Sequence, residues 1–299
     1  MFATWPILIR LPLVLAIFVV STVLHVTPLL LLAVAKALIP IAAVRRRIGR
    51  GLEAIAESWI AVNSAMIDGF THTQVIVTGV ESLVRDRTYL VLANHLSWVD
   101  IPILQKALNR RIPLLRFFLK RQLFWVPVLG LAWWALDFPF MRRHSREQIA
   151  ANPDLARSDI EATRRACARY RGSPVSVMNF VEGTRATPGK RAASGSGYRH
   201  LLRPKAGGVA FVIGAMGDVL DEVLDLTVVY PGGTASLWEF FRGDLAEARV
   251  DVRRRPIPDD LRDGDYENDP EYRARFQSWL NRIWHDKDAW IAGQSASQS

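Results

Sequence analysis

The sequence predicts a layered α/β domain preceded by an N-terminal, membrane-embedded helical segment. Two observations carry this prediction. Residues 11–35 hold no charged side chain and are mostly apolar, and roughly 20 apolar residues are enough to cross a bilayer. After residue 70, short runs rich in β-branched and aromatic residues alternate with helix-like runs, which is typical of a sheet covered by helices. With 299 residues, the chain is long enough for one large domain and an accessory segment.

The apolar segment is followed by a basic run, "RRRIGR", at residues 45–50. Basic residues collect on the cytoplasmic side of membranes, so we expect the rest of the chain to face the cytoplasm. A cleaved signal peptide would have a shorter apolar region and a small-residue cleavage site, so we expect no cleavage. His25 and Pro28 interrupt the apolar stretch, and a second apolar run follows Lys36. A single span is favoured, with an interfacial or re-entrant helical hairpin and a buried core hairpin as alternatives.

The charge balance favours partners that carry phosphate. The chain has 38 Lys and Arg against 29 Asp and Glu, a formal charge of +9. This suits nucleic acid, anionic lipid headgroups or phosphorylated cofactors, and charge alone does not choose among them. The single cysteine, Cys167, excludes an intramolecular disulfide, and we interpret it as a structural residue of a helix.

We divide the chain into an anchor over residues 1–50, an α/β domain over 51–255, and a C-terminal amphipathic helix with a disordered tail over 256–299. Residues 51–70 predict a connecting helix because their apolar side chains recur at helical spacing. The β-rich runs that predict strands are residues 73–80, 88–94, 137–141, 174–181 and 225–230. Four helices are predicted after residue 70. One begins near Trp98, and the others cover residues 121–135, 158–171 and 207–216.

The C-terminal segment carries one aromatic face. Its apolar side chains at helical spacing are Tyr272, Phe276, Trp279, Leu280 and Ile283. We expect this face to pack on the domain in preference to contacting a membrane. The last residues, "GQSASQS", are predicted to be disordered.

The stretch "ANHLSWVD", residues 93–100, ends one predicted strand. Asn94 closes the strand and His95 follows it, at the edge of the sheet where α/β folds place ligand sites. If a turn leads into a helix, the Asp100 carboxylate can hold one imidazole nitrogen and leave the other free to take a proton. The alternative is a capping or hydrogen-bonded structural role. Ser97 lacks the context of a nucleophile elbow, so we interpret it as a turn or cap hydroxyl.

A second polar constellation, "NFVEGTR", ends another predicted strand at residues 179–185. Gly183 allows an unusual backbone turn, Arg185 offers a planar fork that matches a phosphate, and Thr184 adds a donor. The alternative is an ion pair of Glu182 with Arg185 that stabilises a turn. Further cations stand at Arg142, Arg143 and Lys205. No glycine-rich dinucleotide motif, phosphate-binding lysine loop or metal-ligand spacing occurs, so we expect neither a cofactor nor a metal.

Four segments in order, "NHLSWVD", "FPFMRR", "FVEGTR" and "VYP", resemble the four sequence blocks of the glycerolipid acyltransferases, the PlsC-like 1-acylglycerol-3-phosphate O-acyltransferases. The first block is matched by Asn94, His95 and Asp100. Arg143 is the best match for the arginine of the second block, with Arg142 as the alternative, and Pro231 matches the fourth. The third block is matched in full by Glu182, Gly183, Thr184 and Arg185. The resemblance covers roughly residues 70–235.

The resemblance implies a central mixed sheet flanked by helices, in a bacterial inner-membrane enzyme. It further implies transfer of an acyl group from acyl-CoA or acyl carrier protein to the free hydroxyl of a lysophospholipid, lysophosphatidic acid first among them. In this family His95 would be the base, Asp100 would orient it, and Asn94 and Pro231 would support the site. The acceptor's phosphate would be bound by the third block together with Arg143 and Lys205.

Two other functions remain open. Another lysolipid, such as lysophosphatidylglycerol or lysocardiolipin, could be the acceptor, because headgroup preference lies outside the matched blocks. A membrane-tethered protein that binds anionic lipid or nucleic acid would use the same positive charge, but it would leave His95 and Asp100 without a role. We therefore expect lysophospholipid, acyl donor and membrane lipids as partners, and no nucleic acid.

Overall fold

The computed structural model describes residues 2–141, 161, 164–165, 167–168, 170, 172–233 and 235–296. Two long helices open the chain, α1 (Ile7–Leu38) and α2 (Ala42–Phe70). They pack side by side and antiparallel, since the Phe2 amide before α1 donates to the carbonyl of Gly69 at the end of α2. In the described part of the chain, α1 is the helix long and apolar enough to cross a membrane. Helix α2 runs through residue 50, where we placed the boundary between anchor and domain.

The core is a six-stranded mixed sheet. Its strands are β1 (Gln74–Thr78), β2 (Tyr89–Ala93), β3 (Leu115–Phe117), β6 (Ser176–Phe180), β7 (Glu222–Val229) and β8 (Glu247–Arg255), in the spatial order β1-β8-β7-β2-β6-β3. Two short strands, β4 (Leu119–Lys120) and β5 (Phe140–Met141), pair separately. All neighbours in the large sheet are parallel except β7 and β8. The predicted mixed α/β architecture is therefore confirmed.

Helices cover both faces of the sheet. The remaining described α-helices are α3 (Asp100–Leu108), α4 (Leu129–Ala135), α5 (Pro188–Ser194), α6 (Ala206–Met216), α7 (Leu237–Arg242) and α8 (Pro270–Ala296). Strand β2 is buried on both sides: Tyr89, Val91 and Ala93 face the layer of α2 and α3, whereas Leu90 and Leu92 face α6 and α8. This double burial explains why β2 is a continuous apolar run rather than an alternating one.

The structure corrects two predicted elements and adds three strands. The helix predicted over residues 121–135 is split into a 3₁₀ turn at Arg121–Trp125 and helix α4. The break comes at Pro127, which cannot donate to the helical ladder, and Val128 follows with a φ of 67°. The strand predicted over 137–141 contributes only β5, and the sequence patterns missed β3, β4 and β8.

The C-terminal helix α8 packs on the sheet, as predicted. Its aromatic face is buried together with Trp284 against α6 and β7. Lys287 of the same helix is fully buried, and its Nζ lies 2.6 Å from Oδ1 of Asp225 on β7. The predicted disorder of residues 293–299 is wrong for its first part, because α8 continues to Ala296. Residues 297–299 lie outside the described part of the chain.

Candidate active site

The site begins where β2 ends, at Asn94. Its side-chain amide donates to the Val228 carbonyl (2.9 Å) and accepts from the Val228 amide (2.8 Å). Backbone pairing of β2 with β7 reaches Ala93, opposite Leu226. The Asn94 side chain therefore continues the hydrogen bonding between β2 and β7 beyond their last backbone pair, and it links the end of β2 to the end of β7. The supporting role that we predicted for Asn94 corresponds to this link.

His95 and Asp100 form a direct pair. Nδ1 of His95 lies 2.7 Å from Oδ2 of Asp100. The same oxygen accepts the backbone N–H groups of Leu96 (2.7 Å) and Ser97 (2.9 Å). Asp100 is the first residue of α3, where the helix dipole favours a negative charge. The Asp100 carboxylate therefore closes the turn and also orients His95. The structural role and the role in orienting the histidine, which the sequence left as alternatives, are combined in one side chain.

The other imidazole nitrogen of His95 is available for chemistry. An ionised carboxylate can only accept, so Nδ1 carries the proton and Nε2 has a free lone pair. No hydrogen bond to Nε2 comes from the residues that the structure describes. The Asp100 side chain is fully buried, whereas 14% of the His95 side chain is exposed. A reactant can thus reach the histidine but not its partner.

Ser97 takes no part in a nucleophilic arrangement. Its hydroxyl oxygen accepts the backbone N–H of Val99 at 3.1 Å. This is a turn contact, as we predicted from its neighbours.

Two aromatic residues that the sequence analysis missed contact the pair. The Phe180 ring stacks on the His95 imidazole, with centroids 4.0 Å apart and planes 19° apart. The Tyr230 hydroxyl donates to Oδ1 of Asp100 at 2.6 Å. The available signal was their position, since Phe180 opens "FVEGTR" and Tyr230 stands before Pro231. Pro231 itself lies in the turn after β7, where the Gly233 amide donates to the Tyr230 carbonyl.

The third block joins the first through the backbone. The Ala186 amide donates to the His95 carbonyl at 2.7 Å, so the loop after β6 lies beside the loop after β2. Gly183 has a φ of +70°, which glycine adopts without strain. A Cβ at this position would lie 3.2 Å from Nζ of Lys205. A side chain there would strain the backbone and push the Lys205 side chain away by a few tenths of an ångström.

Glu182 lies beneath the loop rather than on its surface. It is 1% exposed, and its carboxylate accepts the backbone N–H groups of His95 (3.4 Å) and Leu202 (3.1 Å). Burial raises the pKa of the Glu182 carboxyl to about 7, although these two hydrogen bonds and the charge of Lys287 oppose the shift. Within the described residues Glu182 and Arg185 form no ion pair. The geometry gives Glu182 a role in holding two backbone segments together.

The buried Glu182 carboxyl is expected to make stability depend on pH. Its pKa rises from 4.5 to about 7 on folding, so between these values the unfolded chain has lost the proton that the folded chain keeps. The contribution of Glu182 to the free energy of unfolding is therefore complete below pH 4.5 and lost as the pH rises through 7, a change of about 3 kcal/mol. Glu182→Gln removes the titration.

The melting temperatures of detergent-solubilised wild type and Glu182→Gln, measured from about pH 4.5 to 8, check this result. The wild type should lose stability relative to the variant up to about pH 7 and then stay level. A difference that is independent of pH would contradict it.

The remaining predicted phosphate ligands lie on or over the same loop, with one exception. The guanidinium of Arg185 lies over the Trp98 ring, 5.1 Å from its centroid, and Trp98 belongs to the loop of His95. Thr184 Oγ1 accepts from Lys190 Nζ at 2.5 Å, and Lys205 packs over Gly183. The exception is Arg143, which with Arg142 lies outside the described residues.

More than half of this chain is similar to known acyltransferases. Residues 74–236 match the model of the Acyltransferase family. "Lysocardiolipin acyltransferase 1" of Danio rerio is 26% identical over 248 residues, 78% of this chain and 59% of the relative. "1-acyl-sn-glycerol-3-phosphate acyltransferase delta" of Mus musculus is 24% identical over 214 residues, 67% of this chain and 51% of the relative. The chain thus spans only half to three-fifths of the length of these curated relatives.

A solved structure shares the fold. The crystal structure of the 1-acyl-sn-glycerophosphate acyltransferase PlsC from Thermotoga maritima superimposes with a TM-score of 0.50 at 17% identity, covering 91% of this chain and 94% of that one. The family match covers more than half of the 299 residues and includes β1, the His95–Asp100 pair, the third block and Pro231. The ordered blocks and the matched domain together show that the chain belongs to the Acyltransferase family.

Proposed function

We propose that this protein transfers a fatty acyl group from an acyl thioester to the free hydroxyl of lysophosphatidic acid, giving phosphatidic acid. The observation that carries the proposal is the His95–Asp100 pair, with Nδ1 bonded to a buried carboxylate and Nε2 left open. The mouse relative and the Thermotoga maritima structure are both named as acyltransferases of 1-acylglycerol phosphate, which supports this acceptor. The donor is acyl-CoA or acyl carrier protein.

The reaction follows from the free nitrogen of His95. Nε2 takes the proton of the acceptor hydroxyl as its oxygen attacks the thioester carbonyl. The Asp100 carboxylate stabilises the imidazolium that forms, as in a catalytic triad without its serine. When the tetrahedral intermediate collapses, the new ester C–O bond stays, the C–S bond breaks, and the imidazolium returns the proton to the leaving thiolate. The proposed steps use His95 and Asp100 and involve no metal, cofactor or covalent acyl-enzyme intermediate.

The loop after β6 supports recognition of the acceptor's phosphate. Arg185 presents a planar fork of donors, and its position over Trp98 places it beside the His95 loop. Lys205 adds a second cation over Gly183. An acceptor held here by its phosphate would have its hydroxyl within reach of Nε2, and such positioning supplies much of the rate of an intermolecular transfer.

A second acceptor class is supported by the zebrafish relative, which is named as a lysocardiolipin acyltransferase. Lysocardiolipin and lysophosphatidylglycerol carry the same phosphate and free hydroxyl chemistry, so the site described above suits them as well. A binding protein for anionic lipid or nucleic acid is less well supported, because it would not use the oriented histidine.

The N-terminal hairpin of α1 and α2 supports attachment to the membrane in which these substrates reside. The proposed location is the inner membrane, with the catalytic domain on its cytoplasmic side. The outer face of α1 exposes large apolar side chains: Leu8, Ile9, Leu15, Val19, Val20, Val23, Leu24, Leu31 and Val34. Both ends of α1 contact the domain, since Lys36 pairs with Asp137 at 3.0 Å and Arg10 donates to the Arg242 carbonyl. A helix held at both ends fits an interfacial hairpin better than a single span.

Leu24→Glu is expected to weaken binding to lipid vesicles roughly tenfold or more, because a buried leucine side chain is worth about 1.5–3 kcal/mol and a charge opposes insertion. Leu24 is 67% exposed on α1, so the folded chain tolerates the change. Co-sedimentation with vesicles of phosphatidylcholine and phosphatidylglycerol measures the effect. The matched control is Ile76→Glu on the edge strand β1, which adds the same charge at another exposed apolar site. Equal losses in both variants would contradict an α1 docking face.

The experiment that tests the function is transfer of radiolabelled acyl groups from acyl-CoA and from acyl carrier protein to a set of lysolipids. The set contains lysophosphatidic acid, lysophosphatidylglycerol and lysocardiolipin, and membranes bearing His95→Ala give the background. Phosphatidic acid made only by wild type supports the proposal and identifies a usable donor. Product from another lysolipid alone moves the assignment to that acceptor, and no product above background from any of them overturns the acyl transfer.

A further inference from the structure

The two oxygens of the Asp100 carboxylate have different partners. Oδ2 faces His95 and two backbone N–H groups. Oδ1 accepts a hydrogen bond from the Tyr230 hydroxyl at 2.6 Å. Among the described residues, Tyr230 is the one donor to Oδ1. Asp100 is completely buried and Tyr230 is 4% exposed, so water does not replace the phenol at Oδ1. A buried, ionised oxygen without a donor would be strongly unfavourable.

The position of Tyr230 is determined by the sheet. Tyr230 directly follows β7, and Asn94 locks the last part of β7 to the end of β2 through both of its amide contacts with Val228. His95 follows Asn94 in the loop after β2. The phenol and the imidazole therefore reach Asp100 from two neighbouring, hydrogen-bonded strands, and α3 supplies the carboxylate between them.

The phenol can act only as a donor here. Burial, and then the negative charge of Asp100 and its hydrogen bond, raise the pKa of the Tyr230 hydroxyl far above its ordinary value. The hydroxyl thus stays protonated throughout the pH range in which an enzyme works.

We propose that Tyr230 is a positioning residue of the acyltransferase reaction: its hydroxyl holds the Asp100 carboxylate rotated so that Oδ2 faces Nδ1 of His95. This inference rests on the proposed acyl transfer through His95. When Nε2 takes the proton of the acceptor, the imidazolium faces a carboxylate that Tyr230 holds in place through Oδ1. The proton can then pass from the imidazole ring to the leaving thiolate.

Tyr230→Phe tests the inference, since it removes one oxygen and keeps the ring that fills the core. Tyr89→Phe is the matched control: Tyr89 is also buried, at the opposite end of β2 from Asn94, and among the described residues its hydroxyl bonds with the backbone of Val84 (3.1 and 3.2 Å). We expect Tyr230→Phe to lower kcat about tenfold, with the acceptor KM unchanged. Tyr89→Phe should lower the melting temperature by a similar amount without changing kcat.

A second readout does not depend on the substrate. In wild-type protein labelled with ¹⁵N-histidine, the ring nitrogens of His95, assigned by comparison with His95→Ala, should show a single tautomer with the proton on Nδ1. In Tyr230→Phe the two nitrogen shifts should move towards averaged values, and in Tyr89→Phe they should not.

The outcomes separate this inference from the proposed function. If wild type transfers no acyl group to any lysolipid, the proposed function fails and the ¹⁵N shifts alone decide the role of Tyr230. Unchanged His95 shifts in Tyr230→Phe overturn the inference in every case. In an active enzyme, an unchanged kcat, or an equal loss of kcat in Tyr230→Phe and Tyr89→Phe, also overturns it.

Discussion

Replacing His95 with alanine is expected to abolish acyl transfer while leaving the chain folded and bound to membranes. The imidazole is the base that the acceptor hydroxyl needs, and a positioned general base contributes on the order of 10²–10⁴ in rate. Its side chain is 14% exposed and stacks on Phe180, and residue 95 is not part of α1 or α2. The loss should therefore appear in turnover and not in the melting temperature or in vesicle binding.

The matched control for His95→Ala is His72→Ala, because His72 is exposed in the link between α2 and β1. Initial rates with saturating donor and acceptor, measured on equal amounts of folded protein, compare the two variants with wild type. Turnover by His95→Ala at the wild-type rate would rule out the mechanism. A loss in both variants would point to general damage to the fold.

Arg185→Ala is expected to raise the acceptor's KM roughly 10- to 100-fold with a smaller change in kcat, since hydrogen bonds to charged groups are worth about 1.5–3 kcal/mol. The guanidinium stacks on Trp98 and makes no ion pair within the described residues, so its fork is available to a phosphate. Steady-state kinetics with lysophosphatidic acid measure the shift. Arg275→Ala, a half-exposed arginine on α8, is the control.

A neutral acceptor sharpens the Arg185 experiment. Monoacylglycerol has the acyl chain and a free hydroxyl but lacks the phosphate, so its KM should be nearly the same for wild type and Arg185→Ala. An effect confined to kcat, or an equal rise in KM for both acceptors, would argue that Arg185 does not bind the phosphate.

The sequence predicted those parts of the fold that have a recognisable pattern of apolar and polar residues along a short stretch of chain. The long uncharged run became α1, the doubly buried strands β2 and β6 were visible as apolar runs, and the aromatic face of α8 packs on the sheet. Strand β8 was missed because its outward positions carry Arg249, Asp251 and Arg253. Arg249 pairs with Glu247 and Arg253 pairs with Asp251, all within β8, and the buried side chains of the strand are the alternate ones.

The chemical pair, the glycine of the third block and the family were likewise readable from the sequence alone. His95 and Asp100 are five residues apart and joined by one turn, so short-range geometry is enough to place them in contact. The role of Glu182 could not be read in this way. Its partners are the backbone of His95 and of Leu202, and only folding brings those two segments to one carboxylate.

Only the tertiary structure decided what surrounds the pair. Tyr230 lies 130 residues after Asp100 in the chain and reaches it because β7 is the parallel neighbour of β2. Phe180 meets His95 because β6 is the neighbour on the other side, and Lys287 meets Asp225 because α8 returns across the same sheet. A sequence pattern reports which residues are close along the chain. Strand order determines which of them are close in space, and strand order is a property of the folded sheet as a whole.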